Sequence, residues 1–375
     1  MTTRKNILIL AHNYGVQFIE ICNQYVKLFD PNKYKVTIAY LSGKPSDEIK
    51  ARTFSEEVIF LNFTKKEIRG AKIGAIKKVL TLCQERKFSM VICHRYKPIY
   101  VMMWVAQFCK IPVLFFVMHA MGTLNYLSRQ LLVAALVRPN MYFAGVSNAV
   151  RDDLREHIWR MPDERVITLY NCIDIKSTES TLFSSEDAKH YFNLPLDSFI
   201  FGTTGRLARE KDQKNIIKAF ASIKSQCPKA KLLIIGGGLL EQDLKIQTQQ
   251  LDLNDDIIFA GYVPEAHRYF KAFDTFILAS TKEAFGLVLI EAMVARVPVI
   301  GTRTNGIPEV IQDAGSIVEP RDSDLLGEAM LKNYALSADK FVLMQEKVYR
   351  HVKNNFSIER FNAIFWRIPA LRELL

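Results

Sequence analysis

The feature that most constrains this chain is a rhythm. Strand-length apolar runs, bounded by turn residues, alternate with stretches of helical period, and the whole series is run through twice. The first run is Lys5 to Ala11 (KNILILA), followed by a polar loop with Gly15 and then Phe18, Ile21, Cys22, Tyr25, Val26 and Phe29 at helical spacing. Further strands are predicted at 34–41, 57–61, 88–93, 112–118 and 141–146. After 167–170 a second series follows at 199–204, 231–235, 257–260, 275–278, 298–301 and 316–318. Runs apolar on both faces, separated by helices, predict parallel, doubly wound sheets. The reading is an α/β chain of two Rossmann-like domains facing a central cleft. Polar residues accumulate at Lys176, Ser177, Thr178 and Ser180, which places the boundary near 172. Residues 1–172 form the first predicted domain and 173–355 the second. A helix over 356–375, with Phe361, Phe365 and Trp366, is expected to pack back on the first.

Composition matters at three points. The six cysteines are scattered without CxxC or metal-ligand spacing, which predicts reduced thiols in a reducing compartment. The first ten residues lack a cleavable leader pattern, and Lys110, Pro112, Arg129 and Arg138 interrupt the most apolar region before it reaches bilayer-spanning length, so a cytoplasmic protein is expected. Residues 1–172 carry 25 basic against 13 acidic side chains, whereas 173–375 carry 25 against 26. That asymmetry points to something anionic meeting the first half, against the plain alternative of lysines that aid solubility.

Two segments carry the chemistry. Ser280 to Glu291 (STKEAFGLVLIE) follows a strand and opens a helix near Gly286, whose free amides at Gly286, Leu287 and Val288 suit a diphosphate. Glu283 before the helix and Glu291 within it can accept from hydroxyls of one bound ligand. A helix cap and a solvated glutamate are the plain alternatives. Thr203 to Asp212 (TTGRLAREKD) leaves another buried strand, with Gly205 for the turn and Arg206 and Lys211 at the sheet edge, where cations would hold a departing diphosphate. Gly236 to Gly238 and Gly261 to Pro264, with Tyr262 and Val263 set against a base, are weaker signals that could equally be turns. His119, after the strand PVLFFVM, is a lone strand-end histidine.

Together these segments resemble the retaining glycosyltransferases of the GT-B fold, in glycosyltransferase family four. The match lies in Glu283 to Glu291 with Phe285 and Gly286, and in Gly205-Arg206-Leu207 followed by Lys211. Val146-Ser147, Asn171 to Asp174, Gly261 to Pro264 and Gly306 to Glu309 support it. The resemblance implies that Arg206 and Lys211 bind the diphosphate, Glu283 and His119 the donor sugar, and Glu291 the ribose. Gly15 matches a phosphate-approaching loop glycine, although His12-Asn13-Tyr14-Gly15 lacks the family's paired glycines. It further implies transfer from a nucleotide-diphosphate sugar, UDP-linked by preference, to a glycan or lipid-linked glycan in cell-surface polysaccharide or lipopolysaccharide synthesis. Configuration would be retained, with no metal and no cofactor. A nucleotide-sugar 2-epimerase of the same fold and a non-catalytic sugar-nucleotide binding module are the rivals. A dinucleotide dehydrogenase is disfavoured by the absence of GxGxxG after the first strand, and no nucleic-acid partner is expected. Finally, Thr64 to Leu80 places Lys65, Lys66, Lys77 and Lys78 in a basic amphipathic helix, or a turn leading into one. Peripheral docking on an anionic membrane surface is the expectation drawn from it; a surface helix packed on its sheet is the alternative.

Overall fold

The computed structural model describes residues 4–374, and the side chains of all of these except 16, 17 and 372–374. The chain divides into two units, residues 1–172 with 361–375, and residues 173–360.

In the first unit β1 (Lys5–Ala11), β2 (Tyr34–Tyr40), β3 (Glu57–Phe60), β4 (Met90–His94), β5 (Val113–Met118), β6 (Met141–Gly145) and β7 (Val166–Thr168) form one sheet. Its order is β3-β2-β1-β4-β5-β6-β7 and every pairing is parallel. Each residue of β4 and β5 is buried, as helices on both faces require. The helix Ile73–Arg86 turns Ala75, Val79 and Cys83 inward at four-residue spacing and leaves Lys77 and Lys78 outside. Lys65 and Lys66 precede that helix in a turn closed by Gly70 and Lys72, both at positive φ, so the four lysines do not share one helical face. Ile73, the first residue of that helix, is exposed.

The chain's last segment completes this unit. Phe361 and Phe365 pack edge-on against Tyr25 at 5.2 and 6.3 Å, Phe365 reaches Phe115 at 5.8 Å, and Trp366 Nε1–H donates to Leu28 O at 3.0 Å. The return begins at Phe361 rather than at 356, because Phe356 is held in the second unit by the Ile173 N–H and by the Phe285 ring.

The second unit repeats the plan with β8 (Phe199–Thr204), β9 (Ala230–Ile235), β10 (Ile257–Gly261), β11 (Thr275–Leu278), β12 (Val299–Thr302) and β13 (Ser316–Val318), in the parallel order β10-β9-β8-β11-β12-β13. Its core is built on Phe201, Ile216, Phe220, Leu232, Ile277 and Ile300, contributed by both the sheet and the helix Gln213–Ile223. All six cysteines of the chain are free thiols.

Candidate functional site

Each sheet has one place where neighbouring strands send their following loops in opposite directions, leaving a crevice at the carboxyl edge. In the second unit this lies between β8 and β11, which pair directly while β8 leads on to β9 and β11 to β12. The loop after β8 is laid down backbone against backbone. A Cβ on Gly236 would fall 1.9 Å from Gly205 O, and Gly236 has φ +141°, so only glycine lets the turn after β9 lie under the turn after β8. Leu207 N–H then donates to Gly237 O at 3.0 Å and Gly236 N–H to Gly261 O at 2.7 Å, stitching three strand-end loops together.

That platform positions Lys211. Thr281 N–H donates to Glu210 O at 2.8 Å, which ties the short turn Arg209–Lys211 to the loop after β11. The same loop is fixed from its other side by Glu283 N–H donating to Asn305 Oδ1 at 3.3 Å and Gly306 N–H to Glu283 O at 3.1 Å. Two side chains 72 residues apart are thereby brought together: Lys211 Nζ donates to Glu283 Oε2 at 2.5 Å, with 21% and 17% of the side chains exposed. Gly286, at φ +96°, ends the loop and caps the helix Leu287–Val294, whose first amides at Leu287 and Val288 have no preceding turn to donate to. Glu291 lies on the second turn, half-buried, and Phe285 is buried beneath the loop. Arg206 is not joined to the Lys211–Glu283 pair. Its side chain is 72% exposed, and its guanidinium donates to Glu210 Oε1 at 2.7 Å. Val263 is buried after β10 and Tyr262 is exposed.

The corresponding crevice of the first unit lies between β1 and β4. His119, following β5, reaches it through His94 at the end of β4: His94 Nδ1 and His119 Nε2 are 3.0 Å apart. Burial, then Arg95, lowers the His119 pKa to about 3, and burial drives His94 well below its ordinary value, so both rings are neutral. His94 Nε2 is buried without a hydrogen-bond partner among the described residues. Stranding a lone pair costs less than stranding an N–H. His94 Nδ1–H therefore donates to His119 Nε2, and His119 keeps its own hydrogen on Nδ1. Beside them His12 follows β1, with Lys97 Nζ 3.5 Å from its Nε2. Its pKa is lowered to about 4 by burial, then by Lys97 and Arg95. Sequence reasoning singled out His119 and missed His94, Arg95 and Lys97 as companions. The available signal was position, since 12, 94 and 119 all stand at strand ends of the same edge. Gly15 precedes the helix Val16–Val26 with φ −54°, a conformation open to any residue.

Among the described residues no group of three or more His, Cys, Asp or Glu could hold a metal ion, and no helix is long and apolar enough to cross a membrane.

Comparison with known proteins adds three results. Residues 184–344 match the family described as glycosyl transferases group 1. Among curated relatives, N-acetyl-alpha-D-glucosaminyl L-malate synthase of Bacillus anthracis is 28% identical over 60% of this chain and 58% of its own length. Alpha-monoglucosyldiacylglycerol synthase of Streptococcus pneumoniae is 27% identical over 68% and 60%. The chain thus spans about three fifths of the length of these relatives. Among solved structures, that of Anabaena Alr3699/HepE in complex with UDP superposes with a TM-score of 0.77 at 19% identity, covering 96% of this chain and 98% of that one, a likeness of fold.

Proposed function

Because this chain belongs, through residues 184–344, to the group 1 glycosyltransferases of family four and has their GT-B fold, we propose that it transfers a hexose from a nucleotide-diphosphate sugar to a glycan or lipid-linked acceptor. The observation that carries this reading is the Lys211–Glu283 contact at the β8/β11 crevice, beside the open amides of Leu287 and Val288. An ammonium has three hydrogens. With one on Glu283, Lys211 keeps two for phosphate oxygens, while Glu283 keeps Oε1 for a sugar hydroxyl. One contact thus sets the distance between diphosphate and sugar. Arg206 joins the diphosphate by exchanging Glu210 for a phosphate oxygen, and Glu291 takes the ribose. Tyr262 and Val263 flank the base. Charge developing on the leaving diphosphate is met by Lys211, Arg206 and the helix amides, preorganised by the glycine-packed loops and without a metal.

His119 offers a neutral Nδ1–H, suited to donate to a sugar hydroxyl without adding charge. UDP as the carrier is supported by the UDP-bound Anabaena structure, and a lipid-linked acceptor by the diacylglycerol named for the Streptococcus relative. A chain at work on such an acceptor belongs at the cytoplasmic face of a membrane, with Lys65, Lys66, Lys77 and Lys78 exposed towards anionic headgroups. Calorimetry with UDP, GDP and ADP against wild type and Lys211→Ala tests the donor site. One nucleotide should bind, and the substitution should weaken it about 10- to 100-fold, the value of a charged hydrogen bond. Equal affinity in both proteins removes the diphosphate assignment.

A further inference from the structure

On the surface of the second unit most opposite charges that come near each other pair. Lys245 closes on Glu241, Lys229 on Asp197 and Arg303 on Glu319, each at 2.7 Å. Four charged side chains stand apart instead. Arg209, Lys214, Asp212 and Asp243 make no ion pair among the described residues, although all four line one cavity of about 250 Å³. Gln213 and Leu240 complete its wall. The cavity lies between the first turns of two neighbouring helices, Gln213–Ile223 and Glu241–Gln250, and is lined by none of Lys211, Glu283 and Glu291.

The wall is built from the interior as well as from the surface. Gln213 is only 3% exposed. Its Nε2 donates to Arg206 O at 3.1 Å, while its Oε1 is buried without a partner among the described residues. A bare buried amide oxygen is costly, and an occupant of the cavity that Gln213 lines supplies the donor it lacks. Asp212, held at φ 49°, is desolvated too: burial raises its pKa against the pull of Arg321. Acceptors at Asp212, Asp243 and Gln213, donors at Arg209 and Lys214, and a single leucine suit neither a lipid tail nor an aromatic base. They suit a ligand with hydroxyls for the carboxylates and an anion for the cations, and a phosphate on a sugar offers both. The volume is below the roughly 300–1,000 Å³ of pockets for drug-sized molecules, which limits the ligand to about one ring.

We propose that this cavity binds a phosphorylated monosaccharide, its phosphate on Arg209 and Lys214 and its hydroxyls on Asp212, Asp243 and Gln213 Oε1, and that its occupancy is felt at the donor site. Gln213 carries the coupling. A ligand hydroxyl on Oε1 fixes the amide whose Nε2 holds the Arg206 carbonyl, at the start of the loop that bears Lys211. The link to a donor rests on the glycosyltransferase reading. Glucose 6-phosphate is the probe, titrated calorimetrically into the full chain. Saturable binding is expected in wild type and in Lys211→Ala, which removes the donor-site cation. It should weaken about tenfold or more in Lys214→Met and in Asp243→Ala, and Lys214→Arg should retain it. Lys214 and Asp243 are exposed, so thermal unfolding of these variants should match wild type. No binding in wild type, or affinity indifferent to both changes, overturns the proposal. Inorganic phosphate bound as tightly as glucose 6-phosphate overturns the sugar assignment, and so does displacement of glucose 6-phosphate by L-lysine at a lower concentration than by galactose 6-phosphate. Titrations of UDP, GDP and ADP with and without saturating glucose 6-phosphate read the coupling, which should tighten the nucleotide that binds about fivefold or more. An unchanged Kd overturns the coupling. Nucleotide binding without glucose 6-phosphate binding removes this site and leaves the donor reading standing, whereas the converse removes the donor reading and the coupling with it.

Discussion

At the scale of single residues, the histidines of the first unit make a pH prediction. His119 has a folded pKa of about 3 against 6.5 ordinarily, and His94 is also well below its usual value. Between those values the unfolded chain binds more protons than the folded one. The stability these rings contribute is therefore fully present above about pH 6.5 and is lost as pH falls. Each histidine steepens the dependence by about 1.4 kcal/mol per pH unit. Denaturant unfolding between pH 6.5 and 4.5 should show a slope shallower by about that amount in His94→Gln, and an unchanged slope would mean that His94 is already charged. The residue scale is also where the sequence was hardest to read. Glu283 and Lys211 were each visible as charged residues at strand ends, but their 2.5 Å contact depends on hydrogen bonds made by Thr281, Asn305 and Gly306, and no local pattern reveals those bonds. Arg95 gave no sign of its φ of 73°, because left-handed strain at a non-glycine residue is imposed by tertiary packing.

Elements were far more legible, and for a physical reason. A parallel strand covered on both faces is largely apolar, so β5, β8 and β11 could be located from side-chain type alone, to within a residue at either end. The helix after Lys72 was harder, since apolar residues lie around much of its circumference and only packing decides that Ala75, Val79 and Cys83 face inward while Ile73 does not. The glycine run after β9 is the clearest case of a weak signal made meaningful by neighbours. Gly236→Ala drives a methyl group into Gly205 O, whereas a methyl group at Gly237 meets nothing within 4 Å. The first change should cost more than about 2 kcal/mol, or displace the loop that carries Lys211 and abolish nucleotide binding. The second should stay within about 0.5 kcal/mol. Equal effects in thermal unfolding and nucleotide titration would show that the β8 and β9 turns do not rest on each other.

On the scale of the whole molecule, two sheets of one plan differ in how they are closed. The second unit is made from a continuous stretch, 173–360, while the first takes its final residues from the far end of the chain. Deleting 361–375 should leave the second unit's unfolding unchanged and destabilise the first. Phe361 and Phe365 are both buried, and burying a phenylalanine is worth about 1.5–3 kcal/mol. Calorimetric scans of the deleted chain check this, and one transition unaltered from wild type would refute it. The borrowed segment also imposes an order on biosynthesis. Trp366 is translated 338 residues after the Leu28 carbonyl it will bond. At 5–20 residues per second, residues 173–360 take roughly 10–40 s to emerge. Through that interval the nascent first unit holds Tyr25, Phe29 and Phe115 without the aromatic partners still encoded downstream. The half of the protein that leaves the ribosome first is the half whose core closes last, and its window for capture by a chaperone is as long as the synthesis of its neighbour.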